Sequence, residues 1–388
     1  MMKKLKILLL SPHGSGEHYH GTATSSHRLY SADPERFDVT LLHGSEEQGP
    51  SSLFKEIVCP RPIGTGAWGM IRWILATRKW LRRNAHRFDV LHAVNAYHPA
   101  MAPAHYADKK LGLPAVVKIA NHNSDLKDKG GWKSMVGLAR GRRRMITEVT
   151  ATVALSKEVI EELTQYGVSS ERIFPIPNSA NLTRFKTPSP ELRSSLRAEY
   201  GLGDSKVIVF SGELGSRKRP HLILEALGLA VEKGLDWRCL MVGPMKNEEY
   251  GATLRAMMDD LGIADRVKML GFTKEVEKAY QAADITCLPS MNEAMPSAVV
   301  EAMAIGMPAV LTRFSSAGEL VPSGEVGAIV EPDGRAIFDA LESFLEHPDR
   351  LSAASVAAKE RVVRKYDVQS VFNKYEDVFR WMVEHPAN

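Results

Sequence analysis

Eleven short apolar runs recur along the chain, each of four or five residues and each separated from the next by a longer stretch of helical length. They are Lys6–Leu10, Asp38–Leu42, Val90–Ala93, Ala115–Ile119, Thr152–Leu155, Ile173–Ile176, Val207–Phe210, Arg238–Val242, Val267–Leu270, Ile285–Leu288 and Pro308–Leu311. Runs this short and this apolar suit strands covered on both faces, and strand–helix–strand crossovers place successive strands parallel. The expected class is therefore α/β with parallel sheets. A chain of 388 residues exceeds what one hydrophobic core ordinarily organises, so two domains are expected. The breaker-rich stretch Phe185-Lys-Thr-Pro-Ser-Pro-Glu places the boundary, giving 1–186 and 187–365. Beyond them, Val371, Phe372, Tyr375, Val378, Phe379 and Met382 share one face of a helix between Tyr366 and Met382.

Composition excludes several classes. A hydrophobic content of 44% with 25% charged residues is that of an ordinary globular protein, and a net charge of +4 is too small to argue for nucleic acid. Cys59, Cys239 and Cys287 are odd in number and form no CxxC, which points to a reducing compartment without a disulfide framework. The start has lysines ahead of an apolar run, but Ile7–Leu10 is shorter than the core of a signal peptide and reads as a first strand. No stretch approaches the length of a spanning helix, so any membrane contact is expected to be peripheral.

Chemistry concentrates between Pro289 and Pro308, where Glu293 and Glu301 lie eight positions apart across a loop-to-helix junction. Pro296 suits a first helical position, which leaves the amides of Ser297 and Ala298 facing out of the helix end. Such an end carries unsatisfied donors and a partial positive charge, and it suits a phosphate. At about 1.5 Å rise per residue the two acids stand more than a turn apart, too far to share a proton. Each is placed to accept hydrogen bonds from a different cluster of hydroxyls on a ligand strung along the helix start.

Other loops follow strands in the same way. After Val207–Phe210 comes Ser211-Gly212-Glu213-Leu214-Gly215-Ser216-Arg217-Lys218-Arg219-Pro220, a glycine-rich loop with a basic cluster ahead of a helix. Its backbone can approach an anion while Lys218 supplies a point charge. After the first strand, Ser11-Pro12-His13-Gly14-Ser15-Gly16 leads to Gly21-Thr22 and a helix around Ser25–Ser31. A dinucleotide fingerprint fails there, because Tyr19 occupies the third glycine position. His13, His18 and His20 lack a Cys or carboxylate companion and do not make a metal site. After Ala115–Ile119, the polar loop Asn121-His122-Asn123-Ser124-Asp125 sits where open α/β sheets bind ligands.

The segment Pro289-Ser-Met-Asn-Glu293…Glu301-Ala-Met-Ala-Ile-Gly306-Met-Pro308 resembles the E-x7-E signature of the retaining GT-B glycosyltransferases of family four. Two strings support the register: Val153-Ala-Leu-Ser156 with Ile176-Pro-Asn-Ser-Ala-Asn-Leu182, and Gly327-Ala-Ile-Val-Glu-Pro332, which resembles a turn of the second domain. The likeness is strong over 207–335 and weak over 1–130. It implies two Rossmann-like domains facing across a central cleft, with the final helix, 366–388, returning to the first domain. It also implies a nucleotide diphosphate sugar as donor, UDP- before GDP-, and a hexose moved with retention to a glycan or lipid-linked saccharide in polysaccharide or glycolipid biosynthesis. In that family the first Glu meets the donor sugar and the second the ribose. Glu293 and His122 are then the catalytic candidates. Donor contacts fall on Gly21, Gly212, Arg217, Lys218, Leu270, Ala294, Met295, Pro296, Ser297, Ala298 and Glu301.

The chain departs from the family at three places. Ala294 replaces a glycine. Glu213 stands where an Arg is usual, so either Arg217 or Arg219 compensates or Glu213 points away. Ala120 holds the family's His position, leaving His122, Asn121 or Asp125 to serve. No D-x-D occurs, in keeping with a reaction that needs no metal or other cofactor and neutralises the leaving diphosphate with Lys218 and helix amides. The helix candidate 68–83 carries Arg72, Arg78, Lys79, Arg82 and Arg83 beside Trp73 and Trp80, a pattern suited to the inner face of a membrane. The expected location is cytoplasmic, with no nucleic-acid partner. A sugar-nucleotide epimerase and a non-catalytic nucleotide-sugar binder are the alternatives.

Overall fold

The computed structural model describes residues 4–15, 21–46, 48, 51–119 and 138–385. They form two compact units, one built from residues 1–178 together with 368–388 and the other from 179–367.

The first unit holds seven strands: β1 (Leu5–Ser11), β2 (Phe37–His43), β3 (Glu56–Val58), β4 (Val90–Ala93), β5 (Ala115–Ile119), β6 (Ala151–Ala154) and β7 (Ile173–Pro175). They make one sheet in the order β3-β2-β1-β4-β5-β6-β7, with every neighbouring pair parallel. β4, β5 and β6 are buried at every residue, which is why their sequences are continuous apolar runs and do not alternate. The last helix, Val368–Glu384, lays Val371, Phe372, Tyr375, Val378, Phe379 and Met382 into this unit's core. Its Phe372 and Phe379 rings stand 5.1 and 5.6 Å from the ring of Phe37.

The second unit holds β8 (Lys206–Ser211), β9 (Trp237–Val242), β10 (Val267–Gly271), β11 (Ile285–Leu288), β12 (Ala309–Thr312) and β13 (Gly327–Val330). Their order is β10-β9-β8-β11-β12-β13, again all parallel. In both sheets the strand order reverses beside the first strand, the doubly wound arrangement of Rossmann-like domains.

The apolar runs all became strands, and two strands lay outside them. β3 is a three-residue edge strand with no fully buried residue. Gly327–Val330 is β13 and not a turn, and pairing with β12 draws it into the sheet. Both are edge strands with a single pairing partner, and β3 is too short to form an apolar run of its own.

Two further expectations need correction. Pro296 is the cap, not the first helical residue: its ψ of 112° is extended, and the helix runs Ser297–Ile305. Trp73 is not interfacial. It is fully buried on the inner face of the helix Gly66–Asn84, so close under Gly44 that a Cβ there would lie 2.3 Å from the indole nitrogen. Trp80 is half-buried, its ring 6.0 Å from that of Phe88.

Candidate functional site

The strand order of the second unit reverses between β8 and β11, so the chain leaves their carboxyl ends in opposite directions and opens a crevice. The two loops that matter emerge there. One follows β8 and includes Gly212 to Arg219; the other follows β11 and runs through Glu293 to the helix Ser297–Ile305.

Glycine at two positions lets the first loop pass close to its neighbours. Gly212 has φ 150°, and a Cβ on it would lie 2.8 Å from Cδ and 2.9 Å from Nζ of Lys218, so the lysine lies flat across the bare backbone. Gly243, at the end of β9, has φ 134°, and a Cβ there would stand 2.0 Å from the Gly212 carbonyl oxygen. The loop is then tied to the one after β11. The Met291 amide donates to the Arg217 carbonyl at 2.9 Å, and Arg219 Nε donates to the Pro289 carbonyl at 2.9 Å. Among the described residues Arg219 is the one non-glycine with positive φ, 49°, a conformation that its side-chain bond to Pro289 helps to hold.

The chemistry converges on one oxygen. Glu293 Oε1 accepts from Arg217 at 2.9 Å, pairs with Lys218 Nζ at 3.0 Å and accepts from Ser290 Oγ at 3.0 Å. Burial alone would raise the Glu293 carboxyl, but Lys218 and Arg217 outweigh it and hold the group below the usual carboxylate range. It is therefore an ionised anchor that fixes two cations in place. Glu213 is elsewhere: it pairs with Lys246, in the loop after β9, at 3.1 Å. Of the open alternatives, Glu213 is neutralised by Lys246, while Arg217 goes to Glu293 and Arg219 to Pro289.

Ala294 and Met295 are buried beneath the approach to the helix. The Pro296 carbonyl accepts from both Val299 and Val300, which leaves the amides of Ser297 and Ala298 without a partner among the described residues. No acidic side chain occupies the first turn to satisfy them. Glu301 lies on the second turn, 7% exposed. Leu270 sits at an irregularity where β10 shifts register against β9 between Met269 and Gly271, a position that re-aims a side chain at a strand end. Gly212, Arg217, Lys218, Glu293, Ser297 and Ala298 are thus brought to one switch point, with Glu301 one turn further into the helix.

In the first unit, Gly21 is exposed with φ 60° and caps the helix Thr22–Ser31. His13 is exposed. His18, His20, Asn121, His122 and Asp125 lie outside the described residues.

One residue escaped the sequence reading. Lys118, on β5, is 6% exposed, and its Nζ donates to Ser25 Oγ and to Asn178 Oδ1, both at 2.8 Å. Burial, helped by the charge of Arg28, pushes its amine down to about 7. A lysine inside the apolar run Ala-Val-Val-Lys-Ile was the available signal.

Two Rossmann-like units, the second with a basic glycine loop and an open helix start at its switch point, define the GT-B class of α/β proteins. Residues 193–361 match the family model for glycosyl transferases group 1, and residues 13–179 match the glycosyl transferase 4-like domain. The second unit is therefore a group 1 glycosyltransferase domain and the first a glycosyl transferase 4-like domain, the pairing of a GT-B glycosyltransferase. The chain is 30% identical over 239 residues to a D-inositol 3-phosphate glycosyltransferase of Corynebacterium urealyticum, covering 59% of this chain and 56% of that protein. It is also 30% identical over 240 residues to a GDP-mannose-dependent alpha-(1-6)-phosphatidylinositol monomannoside mannosyltransferase of Mycolicibacterium smegmatis, covering 59% and 62%. The match thus spans little more than half the length of these relatives. Among solved structures, Anabaena HepE in complex with UDP superposes with a TM-score of 0.82 at 19% identity, covering 97% of this chain and 100% of that one.

Proposed function

We propose that this protein is a retaining glycosyltransferase that moves a hexose from a nucleotide diphosphate sugar, UDP- in preference to GDP-, to a glycan or lipid-linked saccharide. The observation that carries this reading is the Glu293–Lys218–Arg217 cluster beside the open amides of Ser297 and Ala298. Cleavage of the bond between the anomeric carbon and the phosphate oxygen leaves growing negative charge on the diphosphate. Lys218 and the two amides are the groups assigned to stabilise it, with no metal required. Arg217 remains to neutralise Glu293 when Lys218 turns to phosphate, which keeps that carboxylate ionised towards the sugar. Glu301 is assigned to the ribose hydroxyls, and the bulged Leu270 to the base.

Relatives support both halves of the reading. The mycobacterial relative is described as GDP-mannose-dependent and acts on a phosphatidylinositol mannoside, while HepE holds UDP. A lipid-linked acceptor would bring the enzyme to the inner face of a membrane.

The test is incubation with UDP-, GDP- and ADP-sugars, with and without chelator, followed by product analysis. Slow release of nucleotide with an α-configured sugar, unaffected by chelator, is the expected result. An isomerised donor would show an epimerase. Tight donor binding without any turnover, in the presence of saccharide acceptors, would show a binding protein.

A further inference from the structure

We infer that the helix Gly66–Asn84 docks the protein on an anionic lipid surface through the face bearing Trp68, Ile71 and Leu75. This rests on the lipid-linked acceptor reading above and assigns that surface. The helix has an inner face, with Trp73, Thr77 and Leu81 buried, and an outer face with exposed side chains. On the outer face, Trp68 is 76% exposed, Leu75 59% and Ile71 41%, three large apolar side chains at spacings of three and four. Lone exposed apolar residues are ordinary, but an indole and two aliphatic chains stacked on two turns are a patch.

The same face carries cations, Arg72 within the apolar stretch and Lys79 and Arg83 beyond it. Arg72, Lys79 and Arg83 are exposed and have no ion-pair or hydrogen-bond partner among the described residues. Arg78 and Arg82 are drawn to the neighbouring helix His98–Leu111, lying 5.1 and 5.6 Å over the Tyr106 ring. The helix contains no acidic residue at all, so nothing on it repels an anionic surface. A helix of 19 residues is about 28 Å long at 1.5 Å per residue, enough to lie along a bilayer. Its apolar first half would enter the headgroup boundary while Lys79 and Arg83 stay among phosphates. A soluble partner protein would need matching acids opposite a protruding Trp; a bilayer rich in acidic lipid supplies both at once. No described helix is long and apolar enough to cross the membrane, so the contact lies on the surface.

The test is flotation of the full chain with phosphatidylcholine vesicles, with and without phosphatidylglycerol. Binding is expected with the acidic lipid and is expected to weaken with salt. Both W68S/L75S and R72Q/K79Q/R83Q are expected to weaken it by about tenfold or more, while circular dichroism and nucleotide affinity stay unchanged. W68F keeps the binding but loses the part of the fluorescence quenched by brominated lipids that reports this side chain. Equal flotation of W68S/L75S and wild type, or equal binding to neutral vesicles, overturns the proposal. So does a concentration-dependent dimer, without lipid, that W68S/L75S abolishes, since the face would then be covered by a second copy. Vesicle binding without donor turnover sinks the catalytic reading alone, and turnover without vesicle binding sinks this one alone.

Discussion

Glu293 and Glu301 are two carboxylates from one motif, the first in the loop and the second in the helix Ser297–Ile305. Glu293 is bound by two cations and a hydroxyl, so it holds charge in place where the two loops meet. Glu301 is buried on the helix itself and is the carboxylate proposed for the ribose. Replacing Glu301 with Ala is expected to weaken nucleotide binding by about 1–3 kcal/mol, the worth of charge-assisted hydrogen bonds. Calorimetry with UDP and GDP checks this, and equal affinity in both proteins would remove Glu301 from the ribose. Lys118 makes a prediction of a different kind. Its amine is pushed from an ordinary 10.5 down to about 7, so between those values the unfolded chain holds a proton that the folded one has lost. Stability should therefore rise with pH across that window, and below it the cost of burying the charge is present in full. Arg28 and His92 are the charged or titratable neighbours coupled to Lys118. Denaturant unfolding of Lys118→Met should show a shallower rise between pH 7 and 9.5 than the wild type, whose difference reads this one proton.

Among the elements, the loops after β8 and β9 depend on backbone contact that a side chain would break. Gly243→Ala would set a methyl group 2.0 Å from the Gly212 carbonyl at a φ of 134°. The expected loss is about 3 kcal/mol or more in denaturant unfolding. Donor affinity should fall with it, since Lys218 lies across Gly212. An unchanged midpoint would mean that the two loops separate at little cost. The helix Gly66–Asn84 shows where periodicity misleads. Trp73 and Trp80 are seven apart and share a face in the sequence, but that face is the inner one. Which side of a basic helix is buried depends on a residue far away in the chain: Gly44, whose missing side chain makes room for the Trp73 indole.

At the level of the whole molecule, the chain returns from the second unit to complete the first. Phe372, Phe379 and Met382 are fully buried and Val371 nearly so. At about 1.5–3 kcal/mol for each buried side chain, their loss would remove roughly 6–12 kcal/mol, comparable to a domain's entire stability. Truncation after Asp367 is therefore expected to leave the first unit unfolded. Limited proteolysis should degrade residues 1–178 and spare a fragment within 179–367; an intact, cooperative first unit would refute it.

Much of this was legible in linear form. Strand positions follow from local apolar runs, because a doubly covered parallel strand has no solvent face to write polar residues on. The Glu293–Glu301 spacing, the glycine loop and Lys218 were legible because the residue types that a phosphate site would need lie close together in the sequence. Partners distant in sequence were not legible. That Glu213 meets Lys246, that Arg217 and Lys218 share one oxygen of Glu293, and that Lys118 is buried against Ser25 and Asn178 all depend on segments brought together by the sheets. Local sequence sets what a segment prefers to be, whereas charge compensation and burial are properties of neighbours, and neighbours exist only once the sheets have closed their order.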